Sequence, residues 1–324
     1  MIDASLPLVG EQVLGYALSG IALLCFSCAV LATKAASKQL SLDLGFFITL
    51  MVNVLIAGVA LVIHLMWRGE GLRWNMQAFF LFAASGVFAS YLGRWFFYES
   101  VVRFGPAKAS VFQISSPLFA ALFAWLLLGE RLSLGAALGM VVAISGLGLI
   151  SYKPGGFSNA KTSPDEAVAP KISAGVLSRV LQSVFLLGLL SSGAYAVGNL
   201  LRGAAVRSWP EPIAGALIGA LTGLAMHYLF SADRASLMTR LRASKPTGIW
   251  LFALVGAANI SGQITTIASM RYIPLAVAAL VGLCTPLVVF PMSYWLFKNQ
   301  ERITPTLVVG SVLTLVGIGI VVLR

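Results

Sequence analysis

Residues 109–152 read ASVFQISSPLFAALFAWLLLGERLSLGAALGMVVAISGLGLISY. Glu130 and Arg131 are the only charged residues in this stretch, so it consists of two charge-free runs, 109–129 and 132–152, joined by a charged turn. A bilayer core about 30 Å thick is crossed by about 20 apolar residues in helix, and each run has 21. Lipid gives backbone groups no water to bond, so such runs must satisfy their own N–H and C=O groups as helices. The stretch therefore reads as a transmembrane hairpin.

The same pattern continues on both sides. Charge-free runs at 12–33, 44–67, 74–93, 180–201, 212–232, 246–270, 272–297 and 303–323 bring the number to ten, each 20 to 26 residues long. The fold class this predicts is an all-α integral membrane protein with ten transmembrane helices. Composition agrees: 59% of residues are hydrophobic and 10% charged, with a mean hydropathy of +0.92. A soluble domain carries about a quarter charged residues. That gap excludes an ordinary soluble enzyme, a disordered chain and a coiled coil. Trp67, Trp74, Trp209 and Trp250 fall near run ends, where aromatic belts form.

The net charge of +11 would point to nucleic acid in a soluble chain, but here the basic residues fall mostly in short loops, where they set membrane orientation. The partners this implies are the lipid bilayer and a small-molecule substrate, with no nucleic acid. Cys25, Cys28 and Cys284 lie inside apolar runs and read as packing residues. His64 and His227 end the second helix of each half, without a Cys, Asp or second His at ligand spacing, and read as interfacial. No metal, cofactor or catalytic residue is expected. No Lys or Arg precedes Lys34, so the first run lacks a signal peptide's basic leader and is expected to be retained.

The chain also repeats itself. At an offset of 169, Gly93, Arg94 and Ser100 meet Gly262, Gln263 and Ser269, and Ser116-Pro117 meets Thr285-Pro286. At 171, Glu130-Arg131 meets Glu301-Arg302, and Gly139, Gly146 and Gly148 meet Gly310, Gly317 and Gly319. The domains expected are a first five-helix repeat at 12–152, a hydrophilic linker at 153–179, and a second repeat at 180–323. Five is odd, so the second copy enters the membrane from the opposite side. Inverted repeats with a site between them are a device of secondary transporters.

The stretch SSPLFAALFAWLLLGERLSLGAALGMVVAISGLGLI (115–150) and its echo CTPLVVFPMSYWLFKNQERITPTLVVGSVLTLVGIGI (284–320) resemble the end of an EamA repeat. There a Pro-containing fourth helix leads through a Gly-Glu-Arg turn, here Gly129, Glu130 and Arg131, to a Gly-rich fifth helix. The second copy departs from the pattern, with Gln300 in place of Gly, and the first helix lacks the repeat's early Trp-Gly pair. The resemblance spans roughly residues 14–151 and 182–322. It implies a ten-helix carrier of the drug/metabolite transporter superfamily with both termini cytoplasmic, in the inner membrane if bacterial. Loop charge argues the other way: external termini place fourteen Lys and Arg inside, cytoplasmic termini seven. Both readings put the termini on one side. Neither decides between monomer and homodimer.

The candidate substrate residues are Arg94, Tyr91, Gln113, Ser116, Tyr195, Asn199, Asn259 and Gln263. Arg94 leads: an arginine inside a membrane helix faces a cavity, finds a partner such as Glu99, or snorkels. Its guanidinium suits a carboxylate or phosphate, with Lys108 or Arg271 as helpers. The other polar residues serve either a ligand or helix–helix hydrogen bonds. Pro117 and Pro286 are read as mid-helix hinge or gating candidates. Glu130 and Glu301 are read as organisers of the turn after the fourth helix of each repeat.

The function expected is a secondary transporter of small metabolites, amino acids or other small organic and anionic compounds, working by alternating access. A sugar-phosphate or nucleotide-sugar exchanger, or a drug exporter using Trp95, Phe96, Phe97 and Tyr98, is the alternative. An intramembrane enzyme would need a nucleophile–base pair or paired acids at one depth, and a channel is the remaining class. No Walker-type loop is present for ATP coupling. Glu99 is the one carboxylate read as lying within the membrane, which favours a facilitator or exchanger.

Overall fold

The computed structural model describes residues 9–69, 71–113, 134–151, 184–231, 236–273, 275–282, 284–297 and 304–322, with 115–116, 118–119 and 122–123 between. Every regular element among them is helical. In chain order these are α1 (Val9–Ala36), α2 (Leu42–Arg68), α3 (Met76–Phe104), α4 (Pro106–Gln113), α5 (Leu134–Ser151), α6 (Val184–Ser208), α7 (Pro212–Phe230), α8 (Leu237–Ala243), α9 (Pro246–Ser269), α10 (Leu275–Gly282), α11 (Thr285–Phe297) and α12 (Pro305–Val322). Five of them, α1, α2, α3, α7 and α9, are long and apolar enough to cross a membrane. The linker, Pro117, Glu130 and Glu301 lie outside the described residues.

Local chemistry sets several boundaries. Asn75 caps α3, its Oδ1 accepting from the Ala78 N–H at 3.1 Å. Gly69 ends α2 in the left-handed region, φ 68°, which only glycine adopts without strain. Pro212, Pro246 and Pro305 open α7, α9 and α12, where a missing N–H costs nothing. Pro286 behaves likewise. The run 272–297 was expected to be one helix kinked at its centre, but it is described as α10 and α11, and Pro286 is the second residue of the latter. The proline in that run that lies inside a helix is Pro291.

Close helix approach is bought with small residues. A Cβ on Gly86 would lie 2.7 Å from the Gly219 carbonyl oxygen and 2.8 Å from Thr222 Cβ. One on Gly256 would lie 2.9 Å from the Thr49 carbonyl oxygen and 2.8 Å from Val52 Cβ. Gly93 abuts the Tyr195 ring and Gly262 the Phe26 ring. On the α5–α12 seam, a Cβ on Gly146 would lie 2.6 Å from the Gly310 oxygen, and one on Gly317 2.5 Å from the Gly139 oxygen. The small-residue face of α5 therefore packs inside the chain, against α12.

The outward faces stay apolar and exposed, as at Trp67, Trp74 and Trp250. Trp209 departs from the belt expectation: it is buried, with its ring 5.8 Å from Trp74 and 6.1 Å from Phe82. The α3 helix is also irregular. Its central turns, Gly86–Gly93, are π-helical, a widening often found at functional sites.

Gly86→Val is expected to lower thermal stability in detergent by about 1–3 kcal/mol through overpacking against Gly219. Gly58→Ala, on the same reasoning, meets nothing within 4 Å and should be neutral or slightly stabilising.

Candidate functional site

Arg94 lies ten residues before the end of α3, roughly 15 Å along the axis at 1.5 Å per residue. The helix extends well past the charge-free run 74–93, which places the guanidinium inside the span and not at its end. It is 1% exposed, so it does not snorkel. Nor does it pair with Glu99, whose carboxylate receives Arg103 Nε at 2.6 Å one turn later. With the Asn53 amide turned to satisfy both ends, Asn53 Oδ1 accepts from Arg94 Nη1 at 2.7 Å. Asn53 Nδ2 then donates to the carbonyls of Thr49 at 3.0 Å and Gly256 at 2.7 Å. The hydroxyl of Tyr195 on α6 faces both Arg94 and Gln113.

A second buried arginine stands beside it. Arg202 follows the charge-free run 180–201, where a loop would begin, but it lies inside α6 and is 4% exposed. Its Nη2 donates to Gln263 Oε1 at 2.7 Å and to Ser90 Oγ at 3.2 Å. Ser90 is on the π-helical segment of α3, one turn before Arg94. The two guanidinium groups are close enough to repel each other. Among the described residues, neither has a carboxylate partner. Of the helpers expected from sequence, Arg271 lies elsewhere: it is exposed and sits over the Tyr272 ring.

Neutral polar groups complete the setting. Asn259 Nδ2 donates to the Tyr98 hydroxyl, which also faces Thr33 and Thr49. Tyr98 is 2% exposed and Phe97 7% exposed, so these rings face the interior, not lipid. Of the buried side-chain atoms without a hydrogen-bond partner among the described residues, three belong to this cluster: Arg94 Nε, Gln113 Oε1 and Gln263 Nε2. Orphaned polar atoms are costly in a low-dielectric interior. Two of the three are donors, one within a buried guanidinium group and the other on the amide that receives Arg202.

Of the eight candidate substrate residues, Arg94, Gln113, Tyr195, Asn259 and Gln263 meet in this cluster. Tyr91 lies apart among aromatic rings, stacked on Phe230 at 6.2 Å. Ser116 and Asn199 are half-buried and show no hydrogen bond to the cluster among the described residues. The additions from the structure are Asn53, Ser90, Tyr98 and Arg202. Asn53 and Ser90 are polar residues well inside runs 44–67 and 74–93, a signal available in the sequence. Arg202 was hidden because it was used to mark where a run ends.

Small residues hold α6 against this wall. Ser191 Oγ donates to the Gly93 carbonyl at 2.9 Å, and Ser192 Oγ donates to that of Phe112.

The comparisons agree with this architecture. A crystal structure titled only as that of a protein is similar to this chain, with a TM-score of 0.57 and 17% identity over 96% of each chain, a likeness of fold alone. No curated protein matches. Tyr98→Phe should lower stability by about 1–3 kcal/mol by orphaning the Asn259 amide, and adding Asn259→Leu should recover part of that loss in thermal unfolding. Residues 13–152 match the model of the EamA-like transporter family; this part of the chain is similar to that family, and the long apolar helices agree with an integral multi-pass membrane protein.

Proposed function

We propose that the protein is a secondary carrier of small organic anions, carboxylated or phosphorylated metabolites including acidic amino acids, bound between two inverted five-helix repeats. The observation that carries this reading is the pair of buried arginines, Arg94 and Arg202, held by amides and hydroxyls without a carboxylate among the described residues. A buried cation is stabilised by a counter-charge, and a substrate anion supplies one.

Packing supports the repeats. If Gly139 corresponds to Gly310 and Gly146 to Gly317, a two-fold axis maps the Gly146–Gly310 contact onto Gly317–Gly139, and both contacts occur. At the offset of 169, the Gly93–Tyr195 contact maps onto Gly262–Phe26, which also occurs. Reciprocal contacts of this kind are what a two-fold relation requires. On this reading the ten runs form ten membrane helices, α4 and α5 with α10 to α12 among them. Arg94 comes from the third helix of one repeat and Arg202 from the first helix of the other. Alternating access then exposes one site to each side of the membrane in turn.

The test is a thermal-shift series on the purified chain with inorganic phosphate, citrate, glutamate, glucose and choline. A ligand specific for the folded state at a hundredfold excess over Kd stabilises by about 2.7 kcal/mol. Phosphate, citrate or glutamate should raise the melting temperature of the wild type, and neither Arg94→Gln nor Arg202→Gln should respond. Counterflow of the stabilising anion in proteoliposomes should follow the same pattern. Stabilisation by glucose or choline alone, or an unchanged response in both variants, overturns the anion reading.

A further inference from the structure

Asp43 and His227 sit outside the arginine cluster, where the start of α2 meets the end of α7. His227 is 2% exposed, and its Nε2 is 3.5 Å from Asp43 Oδ1. Asp43 is shared: Ser231 Oγ lies 3.3 Å from Oδ1, and Arg240 Nη1 on α8 lies 3.3 Å from Oδ2. The imidazole is enclosed by rings. Phe46 packs edge-on at 5.0 Å, and Trp95 lies at 5.8 Å and Tyr91 at 6.3 Å. Trp95 is the residue after Arg94, and Phe46 also contacts Tyr98 at 5.6 Å. These rings therefore cover the arginine cluster on the face where α2 begins. At the opposite end of the same two helices, Arg68 Nη1 meets Glu211 Oε1 at 2.5 Å.

We propose that Asp43 and His227 form a proton-binding site that locks the face of the bundle on which α2 begins. A proton from solution on that face binds His227 Nε2, and the resulting imidazolium pairs with the Asp43 carboxylate, drawing the end of α7 onto the start of α2. Loss of the proton leaves a neutral ring beside the carboxylate and removes the attraction between the two helices. No other bond changes. Among the described residues, the charged or titratable groups facing the pair are Arg240 from α8 and Tyr91 from α3. Arg240 already holds the other carboxylate oxygen of Asp43 at 3.3 Å, and imidazole is the side chain whose ordinary charge change lies near neutral pH, so the proton is placed on the histidine. The Arg68–Glu211 tie at the other end has no such member, since arginine does not deprotonate. One face is thus proton-sensitive and the other is not. The locking role rests on the carrier reading above; proton binding by the pair does not.

Two readouts on the purified full-length chain test this without any transported substrate. Protonated His227 should quench Trp95, so the fluorescence difference between wild type and Trp95→Phe should fall in one step as pH drops. The step should be absent in His227→Gln and should move to lower pH by about one unit or more in Asp43→Asn, which removes the carboxylate that favours the proton. For access, Ser90→Cys, with Cys25, Cys28 and Cys284 changed to Ser, is alkylated by a water-soluble maleimide. The labelling rate relative to the same protein carrying His227→Gln should be several-fold lower at pH 6 and approach equality at pH 8. A fluorescence step that survives in His227→Gln, or is unmoved in Asp43→Asn, overturns the proton site. A flat labelling ratio overturns the lock. If the anions above fail to bind while both readouts behave as stated, the anion reading falls and the proton site stands.

Discussion

Moving a guanidinium ion from water into a bundle of apolar helices costs several kcal/mol unless its N–H groups are received and its charge is answered. Arg94 and Arg202 are both buried, and the bundle answers them with amide and hydroxyl oxygens from Asn53, Ser90, Tyr195 and Gln263. Hydrogen bonding lowers the cost without cancelling the charge. The surrounding helices must therefore hold these neutral acceptors in place, and much of the remaining packing serves that end. Asn53 spends its own N–H groups on the backbones of α2 and α9, which fixes the oxygen that faces Arg94.

Holding acceptors this close needs helices whose backbones nearly touch. Gly86 against Gly219, Gly256 against Thr49 and Gly93 against Tyr195 remove the side chains that would keep α3, α7, α2, α9 and α6 apart. In lipid there is little hydrophobic gain in bringing one apolar helix onto another, so close van der Waals contact and interhelical hydrogen bonds carry the association. The Ser191 bond to the Gly93 carbonyl is of this kind. It lies beside the π-helical turns of α3, where the backbone is wider and a carbonyl can be reached from outside the helix.

The two ends of the α2–α7 pair differ in chemistry. One is tied by Arg68 and Glu211, the other by Asp43, His227 and Arg240 beneath a cover of aromatic rings. The site proposed here makes the tie at the Asp43 end depend on protons and leaves the tie at the Arg68 end independent of them.

The sequence by itself determined the class of this protein, because ten charge-free runs of membrane length leave the backbone no stable form in lipid but helix. It also displayed the EamA-type hairpin at 115–150, the repeat offset, and Arg94 as a costly residue needing a reason. These are properties of composition and spacing along one chain. What the tertiary structure decided depends on which helices face each other. Arg202 looks like a loop residue in a hydropathy reading, since a charge ends a run whether it points to water or inward. Only the packing of α6 against α3 and α9 shows that it points inward. Asp43 and His227 are 184 positions apart in sequence, so nothing local relates them; the meeting of α2 and α7 does. Pro286 looked like a kink because its run is continuous in hydropathy, whereas the turn at Cys284, just before α11, is a matter of backbone geometry that leaves no mark on polarity.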